Sequence, residues 1–351
     1  MASYITDNED VVPFGISYII RGSWLIFNDN FNSELDNIIF PDNIQKIKFG
    51  AQYNKKITKL NITNITHLQF GYWFNKNVNN TNLPLTLTHL QFSRHFNKNI
   101  DNLPTNITHL TLGSLFNTYV ISWPPKLTYL NLGEGYNYPI DNLPNTLTYL
   151  RTGYKFNQKI DNLPKNLTKL ILGWKFNQQV DNLPNNITHL RFGYKFNQQV
   201  DNLPNNITYL RFGYQFNRPI NNLPENIKYL YFNDRFNQPL DKLPSSIKHL
   251  TFGIRFNNYI CRFPLTLTHL QFGYMFNQYT HNLPQSITHL RFGENTFSST
   301  FSQKIYLYFL VEFNIKNNHK QKKYILNRCK INKHNMYKRQ YGLFDLLILD
   351  N

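Results

Sequence analysis

The chain has 351 residues, 41% of them hydrophobic and 16% aromatic, with a formal net charge of +17. Its two cysteines, Cys261 and Cys329, are too few for a disulfide framework, which argues against a small disulfide-stapled domain. No stretch approaches the roughly 18 apolar residues of a membrane-spanning helix, so no membrane partner is expected.

The N-terminal segment Met1–Asp10 has neither a basic leader nor an apolar run of secretory length, and an intracellular, cytoplasmic location is the expectation. A nucleus or a particle stays open. Residues 1–40 read as an N-terminal cap with a degenerate first repeat: Pro13, Ile16, Ile19 and Gly22 match later units, with about six residues inserted around Trp24–Asn28 before Phe31-Asn32. An atypical end unit suits a cap, because the end of a stacked array exposes an apolar cross-section.

Residues 41–295 form the repeat region. From Pro84 to Pro284 a proline recurs every 20 residues, and counting from Pro41 gives about thirteen units. Asp181 to Val200 is one such unit, and Asp201 to Ile220 nearly repeats it. Within a unit, Thr188-His-Leu-Arg-Phe192 alternates polar and apolar residues, the pattern of a short half-buried strand with Leu190 and Phe192 inward. Gly193 ends the strand, where freedom in φ would serve a turn. Asp201-Asn-Leu-Pro204 forms a second corner, with Asx side chains placed to bond nearby backbone. About 20 residues leave no room for a crossover helix, so extended or short 3-10 pieces complete the turn.

One unit cannot bury its own Phe and Leu residues, so the units must stack. Stacking sets equivalent strands side by side at about 4.8 Å, predicting one long parallel β-sheet on the order of 60 Å from end to end.

The consensus Leu-Pro-x-x-Ile/Leu-Thr-x-Leu-x-Phe-Gly-x-x-Phe-Asn-x-x-Ile/Val-Asp-Asn resembles the FNIP repeat, known from social amoebae and from giant DNA viruses that infect amoebae. The resemblance implies a leucine-rich-repeat-like solenoid. One departure from leucine-rich repeats is the regular Asn, which follows the strand's last apolar residue by five positions rather than three. Some relatives carry an F-box or kinase domain ahead of the repeats, and the residues before Pro41 are too few for either.

Three sets of residues are candidates for function or support. The Asn column, including Asn177, Asn197, Asn217 and Asn237, reads as a structural ladder satisfying backbone groups of neighbouring turns. The outward strand positions and those just past the glycine form a candidate partner-binding face: His189, Arg191, Tyr194, Tyr209, Arg211, Tyr214, Tyr229, Tyr231 and His249. Tyr and Arg are enriched in binding hot spots, although a solvated sheet face gives the same pattern. Last, residues 296–351 read as a C-terminal cap and a basic tail: ten Lys/Arg against three acidic residues lie in the final 48 positions. Lys320-Gln-Lys-Lys323 fits a nucleic-acid or nuclear-import patch, or simply a solvated segment.

The Asn-Ile-Thr and Asn-Leu-Thr triplets at Asn106, Asn166, Asn186 and Asn206 match glycosylation acceptors, but they recur because the repeat recurs. No phosphate loop, metal-ligand cluster, nucleophile elbow or spaced acid pair is present, so no catalytic residue, cofactor or metal is assigned. The sequence thus predicts a non-enzymatic repeat scaffold that binds a protein through its sheet face. Nucleic-acid binding led by the tail, and a purely structural or particle-associated role, are the alternatives.

Overall fold

The computed structural model describes residues 18–35, 38, 40–57, 64–78, 82–278, 280 and 282–293. The basic tail, the C-terminal cap and the first 17 residues lie outside them. The described elements are β1 (Tyr18–Arg21), β2 (Trp24–Phe27), β3 (Lys46–Lys48), β4 (His67–Gln69), β5 (His89–Gln91), β6 (His109–Thr111), β7 (Tyr129–Asn131) and β8 (Tyr149–Arg151). There follow β9 (Lys169–Ile171), β10 (His189–Arg191), β11 (Tyr209–Arg211), β12 (Tyr229–Tyr231), β13 (His249–Thr251), β14 (His269–Gln271) and β15 (His289–Arg291). They make one 15-stranded sheet in strict chain order, and no helix occurs among the described residues.

Pairing from β2 onward is parallel and in register by one repeat: Leu190 sits opposite Leu170 on one side and Leu210 on the other. The alternation predicted for each strand holds, with Leu190 buried between His189 and Arg191. Two tight turns complete each coil. The Pro184 carbonyl accepts from the Ile187 N–H at 3.2 Å, and the Gly193 carbonyl accepts from the Phe196 N–H at 3.4 Å. Between these turns the described connecting residues form neither helix nor 3-10 coil.

The core is a set of columns running the length of the molecule. Leu190, Phe192 and Phe196 recur turn after turn with almost no exposure. Phe192 and Phe196 stack within one turn at 3.7 Å, and Phe196 stacks on Phe216 of the next at 6.0 Å. Burying one such side chain contributes about 1.5–3 kcal/mol. Thr152 interrupts the column held elsewhere by Phe or Leu; it is buried, and its Oγ1 accepts the Gly173 N–H at 2.8 Å.

Two local expectations are corrected. Gly193 does not recur from turn to turn for its φ, since the positive-φ glycine among the described residues is Gly22, at 59°. Gly22 opens the two-residue turn between β1 and β2, where a left-handed residue matches the strand twist. The repeat glycine answers instead to close approach: a Cβ on Gly193 would lie 1.8 Å from the Gly173 carbonyl oxygen. Successive turns touch backbone to backbone at that corner.

The second correction concerns the first repeat. Its strand is β2, not the Ile16–Ile19 segment: β2 pairs in parallel with β3, placing Leu25 beside Ile47. Asn28 then takes the glycine position, its carbonyl accepting the Phe31 N–H at 3.2 Å, and Asn32 starts the Asn column. The unit therefore needs no insertion. What is extra is β1, which pairs antiparallel on the outer edge of β2.

Candidate functional site: the outward face of the sheet

The face is built by the strand period. With Leu190 inward, residues 189 and 191 must point outward, and parallel register aligns them with their equivalents on every strand. His189, Arg191, Tyr209, Arg211, Tyr229, Tyr231 and His249 all lie on this surface, each exposed or half-buried. Tyr194 and Tyr214 lie on the adjoining edge, in the turn after the glycine. The candidate residues therefore occupy three neighbouring rows: His189 to His249, Arg191 to Tyr231, and Tyr194 with Tyr214.

The first and third rows are stacks. On the sheet, His189 packs on Tyr209 at 5.7 Å, Tyr209 approaches Tyr229 at 6.2 Å, and Tyr229 packs on His249 at 4.6 Å. On the edge, Trp174 packs on Tyr194 at 4.0 Å and Tyr194 on Tyr214 at 4.6 Å, with interplanar angles of 2° and 3°. The 4.8 Å strand spacing places flat side chains at stacking distance. Cations extend both rows: Lys169 lies over Tyr149 at 5.3 Å and Arg235 over Tyr214 at 5.6 Å. Because the rings cover one another, the rows offer solvent mostly their edges, hydroxyls and ring nitrogens.

Toward each end of the sheet row lies a histidine trio. His67, His89 and His109 stack at 4.0 and 4.1 Å; His249, His269 and His289 stack at 4.1 and 4.0 Å. Burial, reinforced by neighbouring histidines, pushes His89 and His269 down to about 4, so both are neutral at pH 7. Several of these rings share a hydrogen bond with the preceding threonine, as Nδ1 of His89 does with Oγ1 of Thr88 at 2.9 Å. Parallel rings in a row do not converge on a point, and no group of three or more metal-ligating side chains occurs among the described residues.

The Asn column lies behind the face. The Asn197 N–H donates to Asn177 Oδ1 at 2.8 Å, Asn217 to Asn197 at 2.9 Å, and Asn237 to Asn217 at 2.8 Å. The same bond runs from Asn54 on Asn32 to Asn277 on Asn257. Gln198 adds a second bond, from Nε2 to the Asn177 carbonyl at 3.0 Å. At the Asp-Asn corner bonds run between turns, as where Asn202 Nδ2 donates to Asp181 Oδ1 at 3.1 Å, and also within one, as where the Asp101 N–H donates to Asn99 Oδ1 at 2.8 Å. The acceptor-like Asn206 is likewise engaged, its Nδ2 donating to the Asn185 carbonyl at 2.9 Å.

This repeating geometry is what a family profile detects. The profile described as FNIP Repeat matches residues 53–95, 96–135, 136–174, 156–195, 176–215, 196–222, 216–254, 240–274 and 256–295. The chain belongs to the FNIP repeat family. Among solved structures, this FNIP protein is similar to CroV588, described as a novel circular LRR protein, with a TM-score of 0.66 and 34% identity over 79% of this chain. It spans 50% of that protein's length. YopM from Yersinia enterocolitica (17% identity, 74% of each chain, TM-score 0.34) and a leucine-rich repeat protein from Bacteroides ovatus (14% identity, 83% of this chain and 80% of that one, TM-score 0.20) are too distant to bear on the argument. No curated protein matches the chain.

Sequence reasoning located the FNIP face but missed its state. Column reading finds which residues are neighbours; it does not reveal that their ring faces are already used. It also passed over the position after Tyr194 and its equivalents, where Trp73, Leu115 and Met275 are substantially exposed. The signal was present, since the column mixes large apolar residues with lysines.

Proposed function

We propose that this FNIP solenoid is a non-enzymatic scaffold that binds a protein partner through the outward face of its sheet, inside the cell. The observation that carries the reading is the face itself: a continuous surface of stacked Tyr and His with Arg, held rigid by the ladders behind it and engaged with no other part of the described chain. Tyr, with two side-chain torsions, loses little entropy on binding, and Tyr and Arg are both enriched among interface anchors. The nine candidate residues fall within four consecutive strands, β10–β13, and their turns, and about 1,600 Å² is the ordinary size of a stable protein interface. Nucleic acid is the less favoured ligand. Single-stranded bases bind by stacking on open ring faces, and here those faces are covered by neighbouring rings.

The test is a pull-down from the native host cell with Tyr209→Ser, Arg211→Ser and Tyr229→Ser combined. The account expects the principal partner to be lost while the melting midpoint stays close to that of the parent. Retention of every partner by the triple variant would remove this surface from consideration.

A further inference from the structure

The outward face carries charge of one sign. None of the outward positions of β3–β15 is Asp or Glu, whereas Lys46, Lys48, Arg151, Lys169, Arg191, Arg211 and Arg291 stand among them. The acidic residues of the repeats lie elsewhere, mainly at the Asp141, Asp161, Asp181 and Asp201 corner. The positive charge is concentrated over four adjacent strands, with Arg151 on β8, Lys169 on β9, Arg191 on β10 and Arg211 on β11.

Arg191 and Arg211 are direct in-register neighbours. Like charges placed opposite one another across two strands are destabilising, and no carboxylate relieves them: the one ion pair recorded among the described residues joins Lys242 to Glu225, away from the face. The turns beside the sheet extend the pattern. One position past the edge row, Lys155, Lys175 and Lys195 are exposed on successive turns, and that column is basic again at Arg235 and Arg255; in the edge row itself the aromatic run Tyr154 to Tyr214 is flanked by Glu134 and Asp234. The turns of these strands therefore add lysines to the arginines of the sheet, beside an edge row that is itself aromatic. Electrostatic complementarity selects a partner of opposite sign.

We infer that β8–β11 and their post-glycine turns dock an extended acidic segment of a partner protein. This rests on the sheet face being the partner-binding surface and names the chemistry of what it binds. Arg151 to Arg211 spans three strand intervals, about 14 Å, the reach of about four residues of extended chain. A segment with several Asp or Glu residues, running along the solenoid axis, meets Arg151, Arg191 and Arg211 in turn, with Tyr209 and Trp174 supplying apolar contact. The covered ring faces favour this ligand over a nucleic acid of equal charge.

The experiment uses the full chain and a fluorescent decamer of glutamate, with a glutamine decamer and a thymidine decanucleotide as comparisons. A photoreactive group on the glutamate peptide reports where it lies. The expected result is cross-linking within residues 149–214 and an affinity about tenfold weaker, some 1.4 kcal/mol, for Arg151→Gln, Arg191→Gln and Arg211→Gln combined. Lys159→Gln, Lys165→Gln and Arg218→Gln remove equal charge from other surfaces and should leave the affinity unchanged. The inference is overturned by cross-links confined to residues 316–339, by equal loss in both triple variants, or by thymidine binding that exceeds glutamate binding with the same dependence on the three arginines. If the glutamate peptide fails while the natural partner still depends on Tyr209 and Tyr229, the acidic chemistry is wrong and the face reading survives. If the partner ignores those tyrosines as well, both fall.

Discussion

At the scale of single residues, the least variable letters of the repeat each answer one packing requirement. Asn197 accepts a backbone N–H from the next turn and donates its own to the last. Asn197→Ala strands the Asn217 N–H and should destabilise by about 1–3 kcal/mol, read as a shift in the denaturant midpoint. Asn197→Asp keeps an acceptor oxygen and should recover part of that loss; equal midpoints for parent and Ala variant would contradict the ladder. Gly193→Ala meets the Gly173 carbonyl and should cost about 1–3 kcal/mol or more through overpacking. Ser93 and Asn233 occupy the same column with a Cβ, so Ser93→Ala should be nearly silent in the same assay. The glycine column was legible in the sequence, but its cause was not. Backbone-to-backbone contact between turns depends on how tightly the coils stack, which no single unit states.

At the scale of the strand and its stacked side chains, the histidine trios make stability depend on pH. In the unfolded chain a histidine titrates near 6.5, whereas burial and neighbouring histidines hold folded His89 and His269 at about 4. Between those values the unfolded state binds protons that the folded ladder refuses, so stability falls as pH drops from about 6.5 toward 4. Above pH 7 these groups add no slope. Lys46, His67 and His109 surround His89, and His249 and His289 flank His269, so protonating either adds charge beside basic neighbours. The rings are half-buried at the sheet surface, where solvent screening keeps the effect small. His89→Gln with His269→Gln should flatten the melting midpoint between pH 7 and pH 5; a midpoint in the parent that rises on acidification would oppose the account. The same element scale explains what the sequence showed and what it hid. Strand position, inward Leu190 and Phe192, and outward His189 and Arg191 follow from a period of two over five residues. The β1–β2 hairpin was missed because Pro13, Ile16 and Ile19 mimic the repeat spacing while β2, the true first repeat strand, looked like an insertion. Apolar matches alone do not separate an antiparallel edge strand from a coil of the solenoid; the Asn28 to Asn32 segment, with its ladder bond to Asn54, does.

At the scale of the whole molecule, stability resides in contacts between nearest-neighbour turns, and the binding face is a by-product of the same stacking. Phe196 lies mid-array between Phe176 and Phe216, and Phe196→Ala should cost about 3–5 kcal/mol while splitting the array into halves that lose cooperativity. A single sharp unfolding transition in that variant, at the parent's midpoint, would argue against turn-by-turn coupling. Fold and family were readable in the chain because thirteen near-copies average out local noise. The partner was not, because it depends on the variable outward positions. Those positions set a surface whose central claim is that it, and no other side of the solenoid, meets a protein. The most direct measurement is photo-cross-linking in the native host cell from a reactive residue placed at Tyr229 on the sheet face, compared with one at Gln199, which is exposed outside the sheet. The account predicts a discrete cross-linked protein from position 229 and none from position 199. Cross-links of equal yield from both, or only from 199, would contradict it.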